Sequence, residues 1–385
     1  MLKRQLLTTV LQELRHFPVV CLLGPRQVGK TTLAKKIKQC SPKAVYFDLE
    51  LDSDLARLEQ AEFQLKQYTK QLVIIDEIQQ KPELFRLIRA LVDQKLRPGR
   101  FLVLGSAAQE LLKQSAESLA GRIAYQELAP FTLPEVKNQF KTLWLRGGYP
   151  KSFLAKTNFL SFRWRQNLLK TYLERDLPQL GLQISAQNLR RFILMLAHLH
   201  GSLWNASSVA NSLGISTTAV NNYLAILTET FLVRRLAPYY CQLKKRLIKS
   251  PKIFIRDAGL LHLLWQAKSW SELLEQPLLG HSFEGFVLEQ LCIQAPAAYS
   301  PYFFRTVAGA ELDLIFEVAG KPSIAVEIKC TTNPRLTKGF WQAFADLKCQ
   351  RGYVVYLGQD FYQIAPRVWA LPVTQLAKIF QAKVK

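Results

Sequence analysis

Four short stretches of this 385-residue chain set reactive side chains at spacings that chemistry uses. Gly24, Pro25, Arg26, Gln27, Val28, Gly29, Lys30 and Thr31 have the form G-x-x-x-x-G-K-[ST], with Thr32 directly after. The backbone N–H groups of such a loop cradle phosphates, its lysine reaches the outer phosphates, and its hydroxyl ligates Mg²⁺. "LVIIDE" carries Asp76 and Glu77 to the end of an apolar run. There the first acid can hold the metal through water and the second can polarise an attacking water. "ELDL" and "VEIK" set Glu311 and Asp313, then Glu327 and Lys329, two residues apart. On strands, each pair shares one face. The first two stretches predict bound ATP and Mg²⁺, with hydrolysis rather than binding alone.

The elements that must position the first site alternate. "PVVCLLG" reads as a strand and "KTTLAKKIKQC" as the helix after the loop; "AVYFDLE" and "LVIIDEI" are strands, "ELFRLIRALVDQ" a helix and "FLVLGSA" a strand. Continuous apolar strands between helices predict an α/β domain whose parallel sheet is covered on both faces. Its ligand contacts are expected from Gly24 through Thr32, from Asp76 and from Ser106, where a strand-end hydroxyl can sense the γ-phosphate. Lys30 and Glu77 are the expected catalytic groups. Arg122, in "SLAGR", can stabilise transition-state charge in cis or in trans, or be a plain surface arginine.

"ELDLIFEVAGKPSIAVEIK" predicts two antiparallel strands joined through Ala319, Gly320 and Lys321. A loop with an odd number of residues sets Asp313 opposite Glu327 and Glu311 opposite Lys329; an even loop puts the acids on opposite faces. Carboxylates about 5 Å apart repel unless a cation or proton intervenes. Mg²⁺ or Mn²⁺ on Asp313 and Glu327 satisfies them, with Glu284 in "FEGFVLEQL" as a further ligand and Lys329 orienting a water. A solvent-facing ladder of ion pairs is the other reading of the same residues.

Between these regions the chain turns helical, as in "FRWRQNLLKTYLERDL" and "LRRFILMLAHLH". "NASSVANSLGISTTAVNNYLAILTETFLVRRL" then has helix-turn-helix spacing. Asn205 or Ser207 caps the first helix, Gly214 makes the turn, and Ser216 or Thr217 caps the second. Val220, Tyr223, Leu224 and Leu227 form the buried face, and "FLVRRLAPYY" begins a wing. Thr218, Asn221 and Asn222 are left outward. Asparagine can read adenine edges, while Arg234, Arg235 and Lys244–Arg246 can anchor phosphates.

The 51 Lys+Arg against 29 Asp+Glu give a net charge of +22, which favours a polyanionic partner such as DNA. The six scattered cysteines form no Cys-x-x-Cys pair, against both a zinc ribbon and a disulfide framework. No apolar run is long enough for a bilayer and no signal peptide is read at the N-terminus, so a cytoplasmic protein without membrane contact is expected. Breaks in periodicity divide the chain at 1–140, 141–270 and 271–385.

With these residues in view, "LLGPRQVGKTTLAKKI", "YFDLE", "LVIIDEIQ", "LGSA" and "SLAGRIAYQELAPFTLPE" resemble the AAA-type ATPase superfamily. More narrowly they resemble a prokaryotic family whose ATPase domain precedes a C-terminal region of unknown function. "LRGGYP", "YLERDL" and "IRDAGL" are similar to segments of that region. That family usually reads Gly-Ser-Ser where this chain has Gly105, Ser106 and Ala107, so only Ser106 carries over. The helix acid, metal aspartate and E-x-K pair of the PD-(D/E)XK nuclease fold are matched by Glu284, Asp313, Glu327 and Lys329, without the usual proline before the aspartate. The resemblance implies a P-loop ATPase domain, a winged-helix middle and a nuclease-like tail. Two functions fit. One is an ATPase driving a DNA transaction, alone or as a homo-oligomer, with a nuclease-like tail in which Glu327 and Lys329 can cleave nucleic acid with Mg²⁺ or Mn²⁺. The other is an ATP-dependent switch that binds a protein partner through an inactive tail.

Overall fold

The computed structural model describes residues 2–106, 119–137, 139–179, 184–240 and 247–381. It divides into two compact units, Met1–Phe131 with Glu229–Phe231, and Thr132–Thr228 with Leu232–Lys385. The Lys244–Arg246 anchors and Ala107 lie outside the described residues. Among those residues, no helix is long and apolar enough to cross a membrane.

The first unit is built on a five-stranded parallel sheet of β1 (Val19–Leu23), β2 (Val45–Asp48), β3 (Val73–Asp76), β4 (Phe101–Leu104) and β5 (Ile123–Glu127). Their order is β2-β3-β4-β1-β5. The apolar runs of β1, β3 and β4 are buried along their whole lengths, as strands covered on both faces must be. In the helix Leu84–Gln94, Leu84, Phe85, Ile88, Leu91 and Val92 recur on one face and pack on Val73, Ile75, Phe101 and Val103 of the sheet. Phe85→Ala would cost about 3–5 kcal/mol in transfer and cavity terms. "IAYQE" of β5 was not legible as a strand, because it is a half-exposed edge with polar residues in place of an apolar run.

In the second unit the helix Asn158–Thr171 is capped by Thr157, whose Oγ1 accepts from Leu160 N. It passes into a π-helical turn at Tyr172–Asp176, where an uninterrupted helix was expected. "LRGGYP" and "IRDAGL" meet at one buried carboxylate. Asp257 Oδ2 accepts from Gly148 N at 2.8 Å and Oδ1 from Leu260 N at 2.9 Å. These segments therefore hold the fold together by backbone capture of an acid. The helices Ala206–Leu213 and Thr217–Glu229 follow, the first capped by Asn205 and ended by Gly214 in the left-handed region. Ser216 Oγ caps the second, accepting from Ala219 N. β6 (Val233–Leu236) then pairs antiparallel with β7 (Lys252–Ile255).

The chain ends in a six-stranded sheet of β8 (Ser300–Arg305), β9 (Glu311–Val318), β10 (Lys321–Lys329), β11 (Arg351–Tyr356), β12 (Tyr362–Ala365) and β13 (Val368–Pro372). These lie in the order β12-β13-β11-β10-β9-β8. The hairpin of β9 and β10 departs from the expected three-residue loop. Val318 pairs with Lys321 across a two-residue turn, with Ala319 and Gly320 both at positive φ of 49° and 77°. Both angles suit a tight primed turn. That even loop alone would put Asp313 and Glu327 on opposite faces. A bulge between Pro322 and Ile324 adds one residue to β10, so that Ala325 faces Ile315 and Val326 faces Leu314. Continued along the strands, this register sets Asp313 across from Glu327. Ile315 and Ala325, on the same face, pack on Phe340 and Phe344 of the helix Lys338–Asp346.

Candidate nucleotide and carboxylate sites

In a parallel sheet all strands finish at one edge, and the order β3-β4-β1 brings three strand ends together there. The loop Gly24–Gly29 leaves β1 and enters the helix Lys30–Cys40, which carries Thr31 and Thr32 in its first turn. Gly24 has φ of 146°, and a Cβ there would lie 2.3 Å from the Leu128 carbonyl oxygen, so no other residue fits. Pro25 and Val28 are buried while Gln27 is exposed. Arg4 Nη1 donates to Val28 O at 2.9 Å, and its Nη2 to Ala129 O, which pins the loop from behind. Nothing in the sequence singled out Arg4.

Lys30 is 5% exposed, and its Nζ donates to the carbonyls of Gly24 at 2.9 Å and Pro25 at 3.0 Å. Burial lowers its pKa to about 8, with Glu77 and Asp76 pulling it back up and nearby Arg26 adding to the fall. Asp76 is buried; its Oδ2 accepts from Tyr46 Oη at 2.5 Å and its Oδ1 from Glu77 N at 3.0 Å. Burial raises the pKa of Glu77, against a hydrogen bond from Gln79 Nε2 to its carboxylate. The same Gln79 Nε2 reaches Ser106 Oγ at 3.3 Å, bridging the ends of β3 and β4. The donors fit a metal-bound nucleotide. A buried ammonium held by neutral carbonyls suits an anion, and a helix N-terminus stands behind it. Thr31 and Asp76 supply the hard oxygens that Mg²⁺ takes.

Arg122 is not brought to this edge. Val19 N bonds Arg122 O, and Ile123 pairs with Val19 at the start of β1. The loop begins five residues further on, roughly 16 Å along the strand. Arg122 Nε instead meets Asp93 Oδ1 at 2.5 Å. Of the three readings open for Arg122, action in cis does not fit this placement, because parallel pairing fixes it at the opposite end of the sheet.

In the second unit Glu284, Glu311, Asp313, Glu327 and Lys329 line a pocket of about 670 Å³. Ile328 N donates to Asp313 Oδ2 at 2.8 Å. Lys329 Nζ lies 2.7 Å from Glu327 Oε1, and Glu327 Oε2 is buried without a hydrogen-bond partner. Burial first, then the facing Asp313, raises the Glu327 pKa to about 8. Burial raises that of Glu284 to about 7.

The cation among these acids is Lys252, which stands outside the residues expected at this site. Lys252 Nζ is 3.0 Å from Glu284 Oε1, 3.0 Å from Glu311 Oε1 and 4.0 Å from Asp313 Oδ1. Among the described residues no group of three or more His, Cys, Asp or Glu is arranged to hold a metal ion. The residues as placed do not fit the metal expected on Glu284, Asp313 and Glu327: the Lys252 ammonium stands against Glu284 and Asp313, and Glu327 pairs with Lys329 instead. The signal of Lys252 in the sequence is "KIFI", a charge heading a buried strand, as Glu327 is a charge within one.

On the helix Thr217–Glu229, Thr218, Asn221 and Asn222 are exposed, and Asn221 Oδ1 accepts from Trp204 Nε1 at 3.0 Å. Arg235 is exposed, but Arg234 is committed to buried Glu289, at 2.5 and 3.1 Å, beside Arg256 at 2.7 Å. A buried carboxylate needs such partners, so Arg234 is corrected as a phosphate anchor.

Residues 16–137 match a family model described as an AAA domain. Residues 137–271 and 279–376 match two domains of unknown function, DUF8612 and DUF4143. The uncharacterized proteins Mb2031c of Mycobacterium bovis and Rv2008c of Mycobacterium tuberculosis are each 43% identical over 365 residues, 94% of this chain and 82% of theirs. Among solved structures, the Walker-type ATPase PABY2304 of Pyrococcus abyssi aligns with a TM-score of 0.44 at 17% identity, over 69% of this chain and 96% of that one. By identity sustained over most of both lengths, the chain belongs to the family of these mycobacterial proteins, and it carries an AAA-type ATPase domain in its first third.

Proposed function

We propose that this protein hydrolyses ATP at the end of β1, β3 and β4 and uses the cycle in a DNA transaction. The observation that carries the first half is the buried Lys30 ammonium, held by two carbonyls with Asp76, Glu77 and Ser106 along the same sheet edge. Backbone N–H groups of residues 26–31 would take the phosphates, and Lys30 would exchange its carbonyls for the β- and γ-phosphate oxygens. Thr31 and Asp76 would hold Mg²⁺, which neutralises charge developing on the transferred group. Glu77 would accept the proton of the attacking water, aimed by Gln79, while Ser106 contacts the γ-phosphate. Lys30→Ala should lose ATP turnover while keeping its circular dichroism spectrum; unchanged turnover would end this reading.

The DNA half rests on the +22 charge and on the exposed Thr218, Asn222 and Arg235 around the helix pair, read as a winged helix within residues 141–270. Turnover should rise with duplex DNA, and affinity should fall steeply with salt. One observation favours a second reading, an ATP-dependent switch with a non-cleaving tail at 271–385: Lys252 sits among the nuclease-like carboxylates. A switch would be indifferent to DNA in the same assay.

A further inference from the structure

Burying an ammonium is costly unless carboxylates repay it, so the position of Lys252 is chemically informative. It arrives on β7, which is fixed by pairing with β6, Leu236 opposite Lys252 itself. Its ammonium lies 5.6 Å over the Phe303 ring, so the cation is delivered by a rigid element. It reaches Glu284 on the helix Leu279–Gln294 and Glu311 and Asp313 on β9. A divalent cation on the same oxygens would stand about 2.0–2.6 Å from each and would meet the ammonium's charge in the same cavity. One oxygen is left over: Glu327 Oε2 is buried, unpartnered and part of the cavity lining.

We propose that Lys252 is a tethered cation standing in the place of a divalent metal. The cavity of Glu284, Glu311, Asp313 and Glu327 holds no divalent ion in the native chain and cleaves no phosphodiester bond through one. It is a latent metal site that opens when the Lys252 charge is removed. This rests on the second unit's own contacts and stands or falls independently of the ATPase reading.

The test is Mn²⁺ titration of the full chain without nucleotide, followed by calorimetry and by the shift in melting temperature. Asp76→Asn is present throughout to silence the first site. The lysine-bearing chain should show no saturable Mn²⁺ uptake below about 1 mM. Lys252→Met should gain one Mn²⁺ per chain with a higher melting temperature in its presence, and adding Glu327→Gln should abolish both. Should Lys252→Met fail to fold, Lys252→Met/Glu311→Gln removes an acid with the cation and keeps the remaining donors. The proposal is overturned if the lysine-bearing chain binds Mn²⁺ and loses it on Glu327→Gln, or if a folded Lys252 variant gains none. The first arm decides the native state even if both variants are unstable.

Discussion

Lys30 and Lys252 are withdrawn from water to the same degree, 5% and 4% exposed, yet their pKa values move in opposite directions. Burial pulls both down. At Lys30 the immediate partners are neutral carbonyls, and the value settles at about 8. At Lys252 the pull of burial is outweighed by Glu284, Asp313 and Glu311, which hold it above the ordinary lysine range. Burial alone therefore does not tell whether a lysine awaits a ligand. The partner does: an ammonium on carbonyls gains by meeting an anion, whereas one on carboxylates has already met its anions.

The sharpest separation of the two regions is chemical. Glu77→Gln should keep nucleotide binding, measured with a fluorescent ATP analogue, and cut ATP turnover by about a hundredfold or more, the usual worth of a positioned base. Turnover near that of the unmodified chain would remove Glu77 from the mechanism and leave the first region a binding site.

Stability should invert the ranking of the lysines. Lys252→Met strands three carboxylates and should cost about 3 kcal/mol or more in urea unfolding at neutral pH. Lys30→Met removes a desolvated cation whose hydrogen bonds are to carbonyls, and should change stability by no more than about 1 kcal/mol. Equal losses would mean that the distinction drawn from partners is false.

A pH profile reads the same contrast in binding. Bound phosphates keep Lys30 protonated, whereas in the nucleotide-free chain it loses its proton as pH rises through about 8. ATP affinity should be flat below that value and fall by up to about tenfold per unit above it. Lys30→Arg should flatten the profile, since arginine stays charged throughout. A flat profile in the unmodified chain would mean that Lys30 is charged in the free state across this range.

The first site was legible because its signals are local: a loop pattern, a strand before it and a helix after, with Asp76 at the end of an apolar run. The tail was legible only in part. Period two placed Asp313 and Glu327 on their faces, but their meeting depends on a two-residue turn compensated by a bulge, and no single residue announces a bulge. Lys252 lies 59 to 61 residues from Glu311 and Asp313 and 32 from Glu284, so only tertiary structure brings it there. Gln79 was hidden for the opposite reason: beside an acid pair, a glutamine looks like ordinary surface.

Arg122 should give the smallest effect, and its smallness is informative. It pairs with Asp93 at a half-exposed site, and such pairs are worth about 0–1 kcal/mol. Because it stands at the far end of β5 from the loop, Arg122→Ala should leave the turnover of dilute, monomeric protein within about twofold, since a charge at that distance is largely screened. A role in trans has a separate signature. If a second copy presents Arg122 to the nucleotide of the first, turnover per chain should rise with protein concentration, and Arg122→Ala should remove that rise while leaving the dilute rate unchanged. A loss at every concentration would place the arginine at its own chain's nucleotide, which the pairing of Ile123 with Val19 forbids.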